Sequence, residues 1–154
     1  QALVSEYGED GAQTVLHNIY ANAGDHIETS GSAPLKLCEA GEIAVGFGLR
    51  HQAVADKAEG LPIDYVDPAE GNFSLTESAA VLDKGESTNP LAMKMAQCII
   101  ENGRAELQEN YPNPLYEGES ADSANKSAYP KTFQEPLTFE LYEKHQQISE
   151  AAKP

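Results

Sequence analysis

Residues 37–67, LCEAGEIAVGFGLRHQAVADKAEGLPIDYVD, decide how this chain is read. They parse as a helix end, a short strand, a glycine-bracketed turn, a second helix and a second strand. Gly41 has the place of a helix stop. Residues 43–45 (Ile-Ala-Val) form an apolar run of the length a buried strand needs. Gly46 and Gly48 then strip side chains from the carboxyl end of that strand, and Arg50 and His51 follow at once. Ligands of open α/β sheets bind just beyond the carboxyl ends of strands. The stretch is therefore a candidate site on pattern alone.

Working outward, 154 residues suit one domain by length, with room for a core. Ten basic residues against 25 acidic ones give a net charge of −15 and a pI near 4.4. No basic patch is available to neutralise phosphates, which argues against nucleic acid as a partner and against an anionic membrane surface as well. Arginine occurs only at Arg50 and Arg104. That scarcity draws attention to Arg50, although a solubilising surface arginine is the plain alternative. Cys38 and Cys98 have no motif spacing and lie among apolar or small residues, which predicts buried free thiols.

Upstream, residues 1–8 read as an irregular lead-in. A helix over 9–22 follows, with Val15, Leu16, Ile19 and Tyr20 at helical spacing, Asp10 as cap and Gly24 as stop. Residues 26–29 suit a short strand. Ser30-Gly31-Ser32-Ala33-Pro34 opens a helix to Glu39, where either serine could cap and the free N–H groups would face an anion. A plain capping motif is the commoner use of such serines. Downstream, the spacing predicts a helix over 52–58 ending at Gly60, a strand over 62–66, and a long strand over 73–82 that carries Glu77. Asn89-Pro90 opens the clearest helix, with Leu91, Met95 and Ile99 on its apolar stripe and Gly103 after it. A short helix over 104–110, a proline-stiffened loop at 111–115, a polar excursion over 117–132 and a last helix over 135–152 complete the chain. Helices alternating with short strands give an α/β class.

The four histidines, His17, His26, His51 and His145, are far apart, and no CxxC, GxGxxG, Walker loop, GxSxG or HExxH occurs. No metal, no cofactor and no catalytic residue is expected. His17 and His145 read as structural. Binding is favoured over catalysis.

Four runs taken together carry a resemblance: residues 41–47 (GEIAVGF), 60–71 (GLPIDYVDPAEG), 81–85 (VLDKG) and Asn89-Pro90 at a helix start, with Tyr111-Pro112-Asn113-Pro114 after the paired helices. In this order they resemble the carboxyl-terminal half of extracellular solute-binding proteins of ABC importers, in the group associated with ferric iron and phosphonates. The resemblance covers roughly residues 9–116. It implies a periplasmic-binding-protein-like lobe, part of a two-lobed fold, with a short mixed sheet flanked by helices. Residues 1–70 would belong to the second lobe, and residues 71–154 would supply the return strand and carboxyl-terminal helices of the first. The amino-terminal half would be missing, so dimerisation or strand exchange through uncovered apolar surfaces is expected. A permease in the membrane would be the partner and the location extracytoplasmic.

Ferric members of that group carry adjacent tyrosines where this chain has Gly46-Phe47-Gly48-Leu49-Arg50-His51, which argues against a hard ferric ion. Arg50 and His51 suit an organic anion such as a phosphonate or sugar phosphate. Ser30 and Ser32 would hold its phosphoryl oxygens, and Glu77 would accept from its hydroxyl or amino groups. The alternatives are a ferric receptor, a fragment acting only as an interaction or folding domain, and a small α/β enzyme with His51 as base and Glu77 or Glu70 orienting it.

Overall fold

The computed structural model describes every residue except Leu75 and Glu77. Among the described residues the chain is α/β and mostly helical. Its helices are α1 (Ala2–Ala23), α2 (Ala33–Glu39), α3 (Arg50–Ala58), α4 (Ala92–Asn102), α5 (Arg104–Asn110) and α6 (Phe139–Ala151). A single 3₁₀ turn lies at Gly85–Ser87. Two short strands, β1 (Asn72–Phe73) and β2 (Pro130–Lys131), pair in parallel, with Asn72 opposite Pro130. The chain divides into two compact units, Gln1–Phe73 with Ser127–Pro154, and Ser74–Lys126.

In the first unit, α1 packs on α6. Gln1 donates to the Glu135 carbonyl, Lys144 pairs with Glu9 at 2.5 Å, and Gln13 donates to the Ala151 carbonyl. These contacts advance along both segments together, so the two helices run parallel. His17 Nδ1 lies 3.1 Å from the Ala152 carbonyl, and the Tyr20 hydroxyl 2.9 Å from Ser149 Oγ. His17 is thus a structural contact. Residues 1–8 are helical rather than irregular, and Gly8, at φ 70° and ψ 179°, kinks α1 where the lead-in was expected to end. Gly24 ends the helix as expected, with φ 55°.

The helix stops are written in glycine. Gly41, at φ 72°, donates to the Cys38 carbonyl while Glu42 donates to Leu37, closing α2 in a Schellman motif. Gly60, at φ 86°, repeats it on α3, with Gly60 donating to Lys57 and Leu61 to Asp56. Three helices besides α1 begin differently from expectation. The α3 helix starts at Arg50 instead of 52, and α6 starts after Thr138, whose hydroxyl accepts from the Leu141 N–H at 3.2 Å. Thr138 is itself extended, at φ −89° and ψ 168°, so the helix begins after it. The α4 helix starts at Ala92 rather than at Pro90, and Asn89 Oδ1 accepts from the Leu91 N–H at 2.9 Å in the turn before it.

The strands account for most corrections. Residues 26–29, 43–45 and 62–66 form no strand, and among the described residues of the run expected over 73–82 only Phe73 belongs to β1. A strand requires a neighbour for its N–H and C=O groups. Among the described residues that neighbour is absent for 43–45 and 62–66, and Val45 and Val66 stand 81% and 89% exposed. The polar excursion contributes β2, and Phe73 stacks on Phe133 with ring centroids 4.6 Å apart.

Burial is slight. Among the described residues only Ala12, Ala53, Val54 and Ala152 are buried. Accessible surface totals 11484 Å², where two separate compact bodies of these sizes would expose about 9,000 Å². Both cysteines are free, but neither is buried as expected: Cys38 is half-buried, and Cys98 is exposed on α4.

A candidate anion site at the start of α3

Sequence order puts Arg50 and His51 in the first turn of α3, after the loop over 41–49. That loop is fastened to α2 by Gly46. A Cβ at Gly46 would lie 3.1 Å from Cys38 Sγ and 3.2 Å from the Pro34 carbonyl oxygen. The glycine therefore serves close backbone approach to α2, rather than clearing the end of a strand for a ligand. Gly48 faces open space.

A cation in the first turn of a helix opposes the macrodipole. Asp67 compensates. It accepts from Arg50 Nε at 2.6 Å and Nη2 at 3.3 Å, from Asn72 Nδ2 at 2.9 Å and from the Ala128 N–H at 2.9 Å. Asn72 also donates to Ser127 Oγ at 2.7 Å, and its own N–H reaches the Tyr129 carbonyl at 2.8 Å. Thus one carboxylate ties α3, the turn before β1 and the entry to β2. Arg50 and Asp67 are 18% and 14% exposed at their side chains. The Arg50 guanidinium, followed by the Ala128 N–H and Asn72, holds the Asp67 carboxyl below its ordinary range against the opposing effect of burial.

The Tyr65 ring is approached by two cations of α3, with the Arg50 guanidinium 4.7 Å and Lys57 Nζ 5.3 Å from its centroid. Lys57 in turn pairs with Asp64 at 2.6 Å. Beside His51, Gln52 Oε1 is buried without a hydrogen-bond partner. An orphaned acceptor of this kind calls for a donor.

Of the residues expected at the site, Arg50 and His51 are neighbours, both half-buried, on α3. Ser30 and Ser32 stand together at the entrance to α2, with hydroxyls 3.4 Å apart. Ser32 precedes the helix, but neither it nor Ser30 caps with its side chain. Glu77 lies outside the described residues. Among the described residues no group of three or more His, Cys, Asp or Glu is disposed to hold a metal ion. Asp67, Asn72 and Ser127 were not singled out from the sequence. The scarcity of arginine was the available signal, since a lone partly buried guanidinium requires a carboxylate.

Arg104, the other arginine, follows the same rule in the second unit. Glu119 accepts from its Nε at 2.7 Å and Nη2 at 2.6 Å, and from the N–H groups of Leu115 and Tyr116. The latch fixes the proline-stiffened loop against α5, and it lowers the Glu119 pKa to about 2.

No family model, no curated protein and no solved structure matches this chain.

Proposed function

We propose that the chain is the solute-capturing, carboxyl-terminal portion of a two-lobed binding protein that serves an ABC importer outside the cytoplasm. Its solute would be a small organic anion of the phosphonate or sugar-phosphate class. The observation that carries this reading is the set of exposed apolar side chains on the segments that flank α3. Val45, Phe47, Leu49, Leu61 and Val66 all lie on the segments flanking α3, between 37% and 89% exposed. Such a set suits one wall of a cleft whose opposite wall would cover it.

In this reading Arg50 supplies the cation. Asp67 and Tyr65 orient the guanidinium, His51 adds a donor, and Gln52 Oε1 takes the amino group of an aminophosphonate. Ser30, Ser32 and Glu77 are further proposed contacts, and the permease is the proposed membrane partner. No catalytic role is proposed for any residue. Isothermal titration with 2-aminoethylphosphonate, a hexose phosphate and ferric citrate tests the reading. Binding of a phosphorylated or phosphonate solute that is lost in Arg50→Gln is the expected result. Tight binding of ferric ion alone would sink it.

A second reading, an interaction or folding domain that binds no solute, is favoured by one observation. The Arg50 charge is already matched by Asp67 at 2.6 Å. In that case Arg50→Gln changes stability and none of the three titrations gives heat.

A further inference from the structure

We propose that α4 is a self-association surface that pairs with α4 of a second copy of this chain, antiparallel and about a two-fold axis. Leu91, Met95, Cys98 and Asn102 recur at spacings of four, three and four, which is the seam of a short coiled coil. All four are exposed, with Leu91 at 65% and Met95 at 62%, while half-buried Ala92 and Ala96 mark the side of α4 that is covered. The seam is thus apolar at its centre, exposed and without a partner element among the described residues.

The charges beside the seam select the occupant. Lys94 and Glu101 each precede a seam residue, Met95 and Asn102, and so stand on the same rim one heptad apart. In an antiparallel pair of identical helices, Met95 of one copy lies against Cys98 of the other, and Leu91 against Asn102. Lys94 of each copy then falls beside Glu101 of the other, twice by symmetry. A parallel pair would place Lys94 against Ile99 of the other copy, on the opposite flank from that copy's own Lys94 and Glu101, and would forfeit both pairings. Lys94 has no ion-pair partner among the described residues, and Glu101 accepts only an exposed hydrogen bond from Gln97 at 2.8 Å. Self-complementary charge on an isologous seam is the property that a second copy satisfies. The seam is three turns long, so the interface falls in the weak class, below about 1,200 Å².

This association stands whether or not the chain captures a solute. Sedimentation equilibrium over about 10–500 µM, a range suited to a weak interface, tests it in the unaltered chain, in Lys94→Glu, in Glu101→Lys and in the double variant. A reversible monomer–dimer equilibrium is expected. Each single reversal converts two attractive contacts into two repulsive ones and weakens the dimer about tenfold. The double reversal restores the original pairing and brings the dimer back to within about twofold of the unaltered chain. A monomer across the whole range overturns the proposal and assigns the face to some other occupant. Single reversals that leave the dimer unchanged, or a double variant no better than either single, overturn it as well.

Discussion

Asp67 gathers four donors, and its contribution depends on pH with a definite sign. Its folded pKa is depressed chiefly by Arg50. The stabilisation is therefore fully present above the unfolded value, about 3.9, and is lost as pH falls through the lower folded value. Asp67→Asn leaves the partly buried guanidinium unmatched and is expected to cost about 1–3 kcal/mol at pH 7. Urea midpoints for both proteins should converge as the pH is lowered below the native carboxyl's titration. A constant difference down to acid pH would mean that the hydrogen-bond geometry, and not the charge, carries the effect. Glu119 provides a second case on the same logic. Its carboxyl is held at about 2 by Arg104 and two backbone N–H groups. Its stabilising effect is present above about 4.3 and fades as pH falls towards that folded value. Carboxyl ¹³C shifts followed from pH 6 downward should show one glutamate titrating far below the rest, and the Arg104→Gln variant should raise it part of the way to the ordinary range, the Leu115 and Tyr116 N–H groups still holding it down.

At the scale of elements, the local signals and the distant ones separate cleanly. Gly41 and Gly60 were legible as stops because a Schellman motif needs only a glycine at the left-handed position and two carbonyls from the preceding turn. Replacing either with alanine imposes a positive φ on an L residue and should cost about 1 kcal/mol by thermal unfolding. Gly48→Ala, in open space and without positive φ, should be neutral. Equal losses at all three positions would refute the conformational account. The strands were not legible, because a ladder is a property of two segments. Phe73 finds its neighbour at Lys131, across a polar stretch with no strand pattern of its own. The apolar run at 43–45 has strand composition and finds no neighbour among the described residues. At the site, Arg50 and His51 could be picked out as a cation and a donor after a glycine turn. Asp67, Asn72 and Ser127 could not, since carboxylates are plentiful in this chain and sequence alone does not say which one reaches Arg50. Gly46 was noticed for the wrong reason, because its close contact with Pro34 appears only once the loop has folded back on α2.

The whole molecule carries a net charge of −15, and that charge opposes the pairing of two copies through α4. The Debye length is about 30 Å at 0.01 M salt and about 8 Å at 0.15 M. Repulsion between two such bodies is on the order of several kcal/mol in the first condition and largely screened in the second. The favourable Lys94–Glu101 contacts are exposed and supply only about 0.2–1 kcal/mol each. Repulsion therefore wins at low salt, and the apolar seam decides once the charge is screened. Self-association is expected to strengthen as sodium chloride rises from about 0.01 to 0.3 M, within the span where screening changes most. This is the opposite of what an interface held chiefly by ion pairs would do. The Lys94→Glu and Glu101→Lys penalties should shrink over the same range, because the local contacts are screened as well. Sedimentation equilibrium across the salt series distinguishes the two. A dimer that weakens steadily with salt would mean that local charge outweighs both the apolar seam and the net repulsion. The seam would then contribute register and little of the affinity.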